Sequence, residues 1–173
     1  MSLESATVDL RNDEERLGSI GITSGEREDE FIVPIALSYD IVLKNTGKKA
    51  LGGMEKINRE KFKFDDGIEV HIEPNEKLKG VSEEVMGFNI YNEGENEFGI
   101  GRTSLPLIEP TQEGKYTFDF ILGGLEENPA LKIAPPIEQL EKLKEHAMEA
   151  NLIVFIEGKE IARFDLSDLS NID

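Results

Sequence analysis

The run Phe31-Ile32-Val33-Pro34-Ile35-Ala36-Leu37-Ser38-Tyr39-Asp40-Ile41-Val42-Leu43 decides the fold class. Ile35, Leu37, Tyr39, Ile41 and Leu43 fall on alternate positions, with Ser38 and Asp40 between them. That is the period of a strand with one face turned to a core. Pro34 near its start points to an edge position or a bulge. The run closes in Lys44-Asn45-Thr46-Gly47-Lys48-Lys49, a polar turn in which Asn45 and Gly47 can take positive φ.

The same alternation recurs outward from this strand. Phe62 and Phe64 alternate with Lys61, Lys63 and Asp65, then Asp66-Gly67 makes a turn, and Ile68, Val70 and Ile72 alternate with Glu69, His71 and Glu73. Two such runs joined by Asp-Gly predict a hairpin. Tyr116, Phe118, Phe120 and Leu122 alternate after the turn Gln112-Glu113-Gly114. A last hairpin is expected from Leu152–Ile156 and Ile161–Leu166, with Gly158 as its first turn residue. Leu17 to Ile22 reads as a short glycine-rich strand. Residues 78–92 are ambiguous: Ser82-Glu83-Glu84 suits a short helical turn, and Phe88-Asn89-Ile90-Tyr91 a strand. The polar stretch from Glu4 to Leu17, with Asp13-Glu14-Glu15-Arg16 at its centre, reads as a flexible lead-in or a marginal helix. One helix is expected with Pro136 at its first position; Ile137, Leu140, Leu143 and Ala147 form its apolar stripe, Glu138 and Lys142 pair on the wet side, and Asn151 is the C-cap.

Roughly six to eight short strands with turns at about ten-residue spacing predict a mainly β chain, an antiparallel β-sandwich with one α-helix inserted in its C-terminal half. The alternative is an α+β layer fold with the helix across one sheet. The expected division is a flexible segment over 1–16 and one domain over 17–173. Tyr39-Asp40-Ile41-Val42-Leu43-Lys44-Asn45-Thr46-Gly47 resembles the second strand and turn of the immunoglobulin-like ectodomains of Gram-positive cell-surface lipoproteins. Ile108-Glu109-Pro110 through Gly114-Lys115-Tyr116-Thr117-Phe118 is similar to their later strand and its approach. The resemblance implies an immunoglobulin-like fold and an extracytoplasmic compartment, reached after loss of a signal segment upstream of the residues given; a cytoplasmic protein is the alternative. It carries over no functional residue. The helix after Pro136 departs from the minimal domain of that family, and no cysteine or tryptophan marks the core.

Composition narrows the chemistry. The 173 residues carry 36 acidic and 19 basic side chains, a formal net charge of −17. Such a field repels phosphate backbones and anionic lipid, so nucleic acid and direct insertion into a membrane are set aside. A protein or peptide partner, basic in character, fits it, and so does Ca²⁺. Cysteine is absent, which removes disulfides, thiolate nucleophiles and thiolate metal clusters. No run approaches the ~20 residues of a membrane span.

No catalytic, cofactor-binding or metal-binding set is assigned, and the chain is expected not to be an enzyme. His71 lies between Glu69 and Glu73 on one strand face, a spacing open to a divalent metal, but a solvated face explains it as well. His146, beside the helix stripe, is expected to pack. Gly99-Ile100-Gly101-Arg102-Thr103-Ser104 lacks the third glycine of a dinucleotide loop, and Leu105-Pro106 follows where a helix should open. A carboxylate pair for glycoside hydrolysis lacks the aromatic groove that sugars need, since the chain has no Trp and three Tyr. Asp65-Asp66-Gly67 and the pair Asp9 and Asp13 offer oxygen ligands for Ca²⁺ without the EF-hand spacing.

The acidic, glycine-rich stretch from Asn92 to Ser104 is the candidate interaction loop, with Asn92, Glu95, Glu97, Phe98 and Arg102 as its marked residues. The function expected is a non-enzymatic, extracytoplasmic binding module that works through loops and sheet edges, β-augmentation among its modes. The alternative is a protease inhibitor that presents this loop with Arg102 as the anchor.

Overall fold

The computed structural model of the chain describes residues 1–53, 56–58, 61–63, 67–103 and 105–169. In chain order the elements are β1 (Ser2–Arg11), α1 (Glu14–Leu17), β2 (Ile20–Gly21), β3 (Phe31–Ile32), β4 (Pro34–Lys44), β5 (Leu51–Gly52), β6 (Lys56–Asn58), β7 (Lys61–Lys63) and β8 (Ile68–Pro74). There follow α2 (Glu76–Met86), β9 (Ile100–Thr103), β10 (Leu107–Ile108), β11 (Glu113–Gly124), α3 (Ile137–His146), β12 (Ala150–Ile156), β13 (Lys159–Asp165) and a 3₁₀ turn (Leu166–Asp168). The chain is mainly β, with antiparallel sheets and, among the described residues, three α-helices.

Two sheets dominate. One has the order β1-β4-β11-β9 and the other β13-β12-β8; β2-β3, β5-β10 and β6-β7 are two-stranded. Both larger sheets feed a single core. The alternating face of β4 (Ile35, Leu37, Tyr39, Ile41, Leu43) meets Tyr116, Phe118, Phe120 and Leu122 of β11, Val70 and Ile72 of β8, and Leu152 and Val154 of β12. Leu78, Val81 and Val85 of α2 and Leu140 and Leu143 of α3 complete it. Burial of one such aliphatic or aromatic side chain contributes about 1.5–3 kcal/mol.

β4 is central, paired with β1 on one side and β11 on the other. Pro34 opens it, so its missing N–H costs the ladder little, and the bulge lies on the partner strand, between Ile121 and Gly123. Gly123 adopts φ +134°, and a Cβ there would stand 2.7 Å from the Lys132 carbonyl oxygen and the Ala134 nitrogen. Only glycine fits that position.

Several expectations change. Residues Ser2–Arg11 are not a lead-in: they form β1, in register with Ala36–Lys44. Ala6, Val8 and Leu10 pack against the core from this edge strand. Residues 76–86 form a full helix, capped by the Asn75 side chain at the Leu78 N–H and ended by Gly87 at φ 82°. Phe88–Tyr91 is not a strand, because the Ser82 hydroxyl donates to the Phe88 carbonyl and accepts from the Ile90 N–H, folding this stretch back onto α2. β8 is a strand as expected, and it pairs with β12; Phe64, Asp65 and Asp66 of the expected hairpin lie outside the described residues.

The helix after Pro136 is present, with Pro136 as its N-cap and Ala147, not Asn151, as its C-cap; Asn151 belongs to β12. The β12-β13 turn has Glu157 first (φ 52°) and Gly158 second (φ 70°), the two positive angles of a type I′ hairpin. Neither Asn45 nor Gly47 takes positive φ.

Candidate functional site

Asn92 to Thr103 is ordered by its own side chains. The Asn92 carboxamide accepts from the Gly94 N–H at 3.0 Å and donates to Glu95 at 2.7 Å. Asn96, buried to 8 % exposure, donates to the Ile90 carbonyl at 2.9 Å and accepts from the Phe98 N–H at 3.0 Å. Residues Ile100–Thr103 then pair with Phe120–Thr117 as the edge strand β9. The candidate interaction loop is therefore, from Asn92 to Thr103, a chain of Asx turns followed by a strand.

The five marked residues separate. Asn92 and Glu95 hold the first turn. Glu97 pairs with Lys132, which holds its carboxyl below the usual range, and Phe98 leans on Phe88 with ring centres 6.3 Å apart. Both line a cleft of about 420 Å³ with Leu17, Ile20, Pro34 and Ile121. Arg102 lies on the other side of the stretch. Directly paired residues on neighbouring strands share a face, so its register with Phe118 turns it toward the core side. Its guanidinium sits 5.7 Å from the centre of the Phe118 ring and pairs with Glu93.

Arg102 thereby lines a second cleft, of about 250 Å³, at the seam where the two larger sheets end. Thr103 of β9 lines it too, as do Ile68, Glu69, Val70 and His71 of β8, over a floor of Tyr116 and Phe118. Successive residues of a strand point to opposite faces, so consecutive lining residues place the strand's edge, and not one face, along the cleft. Among the described residues, β8 and β9 are the terminal strands of their sheets. The Ile68 N–H bonds to the Pro106 carbonyl, away from β12, and the Asn75 N–H bonds to Glu149 on the β12 side. By the alternation of an antiparallel ladder, the N–H and C=O of Val70 point to the side of β8 away from β12.

His71 has Glu69 at 3.7 Å and the Phe155 ring edge-on with centres 5.3 Å apart. Among the described residues no three His, Asp or Glu side chains converge to hold a metal ion. Asp9 takes Lys144 at 2.7 Å and Asp13 caps α1, so these two carboxylates have separate partners; Asp65 and Asp66 lie outside the described residues. His146 bonds to Glu149 at 2.6 Å, and the Glu149 carboxyl is held down at about 2, chiefly by Lys77 and then by His146.

Compared with known proteins, the chain matches no family model, no curated protein and no solved structure.

Two features escaped the sequence reading. One is the meeting of β8 and β9 at one cleft, whose residues lie about thirty positions apart and carry no local signal of proximity. The other is an apolar group at the far end of the first sheet. Phe31, 70 % exposed, and Leu125, 52 % exposed, line a shallow cleft rimmed by Arg27 and Glu126. The exposed large side chain of Phe31 was visible at the start of the run that fixed the fold, but strand period alone does not say which residues end beyond the core.

Proposed function

We propose that this chain is a non-enzymatic binding module that engages another polypeptide along the seam between β8 and β9. The observation that carries the reading is that two terminal strands from different sheets line one cleft with their edges. Exposed strand edges offer backbone hydrogen bonds to an added strand, and pockets between them select its side chains. The scaffold is read as an immunoglobulin-like β-sandwich, supported by four- and three-stranded antiparallel sheets that share one core. An extracytoplasmic location rests on the resemblance of Tyr39–Gly47 to surface ectodomains. Fractionation of source cells tests it, and recovery in the cytoplasm overturns it. The inhibitor alternative gains nothing from an Arg102 that is paired with Glu93 on an edge strand.

The binding test is a selection of random extended peptides displayed on phage, followed by amide chemical-shift mapping of each binder. Binders that move the Val70 and Thr103 amides support the module. Binders that all leave those amides unmoved overturn it.

A further inference from the structure

The side chains around the seam specify more than a strand edge. Arg102 already shows what the cleft accommodates: a guanidinium over the Phe118 ring, neutralised by a carboxylate. Phe118 and Tyr116 supply the aromatic floor, Glu93 the counter-charge on one bank and Glu69 a second carboxylate on the other. Arg102 and Glu93 are both partly exposed, at 38 % and 61 % of their side chains, so their pair sits at the mouth and not in the core. An exposed pair of this kind is held weakly and can be exchanged. The whole chain, at −17, draws cations and repels anions.

We infer that the β8-β9 seam takes an extended polypeptide segment bearing Arg or Lys at alternate positions, one of whose cations displaces Arg102 from its seat over Phe118 and against Glu93. The inference rests on the module reading above and names its ligand. The segment lies along β8, where the N–H and C=O of Val70 face away from β12. Side chains of an added strand alternate between the core side of the seam and solvent, so every second residue reaches the aromatic floor. Arg102 acts as a tethered competitor: it fills the cation seat in the free protein and swings into water when a ligand cation arrives. An acidic segment would keep Arg102 but would have to displace Glu93 against the field of the whole chain, which makes it the disfavoured occupant.

The probes are two end-capped hexapeptides, one alternating Arg with Val and one alternating Glu with Val, titrated against the intact chain by calorimetry and amide shift mapping. The Arg peptide is expected to bind, to move the Val70 and Thr103 amides, and to weaken as salt is raised. Arg102→Ala is expected to tighten it several-fold by removing the competitor. Adding Glu93→Gln to that variant is expected to weaken it by about tenfold, the scale of one charge-assisted hydrogen bond. A structural role alone for Arg102 would give unchanged or weaker binding in Arg102→Ala, and that result overturns the inference. Equal or tighter binding of the Glu peptide also overturns it. Should phage-selected peptides move the same amides without enrichment in Arg or Lys, the ligand class falls and the module stands; if no selected peptide moves them, both fall.

Discussion

The Tyr39 and Tyr91 hydroxyl oxygens stand 2.7 Å apart, and the Tyr39 hydroxyl lies 2.7 Å from the Ala147 carbonyl oxygen. A carbonyl only accepts, so the Tyr39 proton goes to Ala147 and Tyr91 donates to Tyr39. The two phenols thus join the central strand β4, the turn after α2 and the C-terminal end of α3. Tyr91 also packs on Phe120, with ring centres 4.8 Å apart. The third tyrosine, Tyr116, is buried and donates to the Leu105 carbonyl at 3.0 Å.

All three phenols of the chain are pushed above their ordinary range, chiefly by burial. A phenol in the unfolded chain ionises near about 10. The folded state therefore keeps protons that the unfolded state gives up. The stability they contribute is complete below the unfolded value and is lost as pH rises toward the folded one. Titration with base should show no tyrosinate absorbance through the ordinary range, then its appearance together with loss of the β-sheet circular-dichroism signal. Reversible ionisation of a tyrosine near pH ~10 with the sheet signal intact would contradict the buried chain.

Arg16 makes a second long-range tie. Its Nε donates to Asp119 at 2.8 Å and its Nη1 to Asp40 at 2.7 Å, across the face of the first sheet that turns away from the main core. Asp119 keeps 11 % of its side chain exposed and Arg16 18 %, so this pair is well shielded. Arg16→Ala strands the Asp119 carboxylate and should cost about 2–3 kcal/mol in urea unfolding. Arg16→Lys should recover only part of it, since one ammonium nitrogen replaces the separate Nε and Nη1 donors that reach the two carboxylates. Arg16→Ala on an Asp119→Asn background should cost clearly less than on the native chain. Independent, additive costs would mean that the pair is a solvated surface contact.

These ties also explain how far the sequence could be read. β4, β11 and β8 were legible because their apolar residues keep a clean period of two, and the β12-β13 hairpin because Gly158 breaks a continuous apolar run from the strand that follows. β1 was not, although Ala6, Val8 and Leu10 alternate, because a small residue and two half-buried ones make a weak signal beside the charges that follow. α2 has the spacing of a helix face in Leu78, Val81, Ser82 and Val85, but its stripe contains a serine and its middle Gly80. Ser82 is tolerated there because Phe88 and Ile90 satisfy its hydroxyl, a bond made only after the chain folds back. The candidate stretch 92–104 looked loose for the same reason: glycine and acid composition conceals Asn92 and Asn96 as side-chain staples. Arg16 finds partners 24 and 103 residues away, and no local pattern announces them.

Asn45 gives the sharpest test of one such hidden staple. It is fully buried; its amide donates to the Lys49 carbonyl at 2.8 Å and the Ile108 carbonyl at 2.9 Å, and its oxygen accepts from the Gly47 N–H at 2.9 Å. The turn after β4 is therefore held by the asparagine side chain and not by positive φ. Asn45→Ala leaves two carbonyls and one N–H to find other partners, a cost of about 2–4 kcal/mol at the usual scale for buried polar groups. Asn45→Asp keeps the shape but replaces both donors with a carboxylate oxygen facing two carbonyl oxygens, so it should cost more than Asn45→Ala at neutral pH. Burial and the facing carbonyls raise the pKa of the introduced carboxyl in the folded state. The folded variant then binds a proton that the unfolded chain has lost, so its deficit should shrink as pH falls through that raised value. Unfolding of both variants across the acid range reads this directly. An Asn45→Asp protein as stable at neutral pH as the native chain would show that the amide donors carry no weight in the turn.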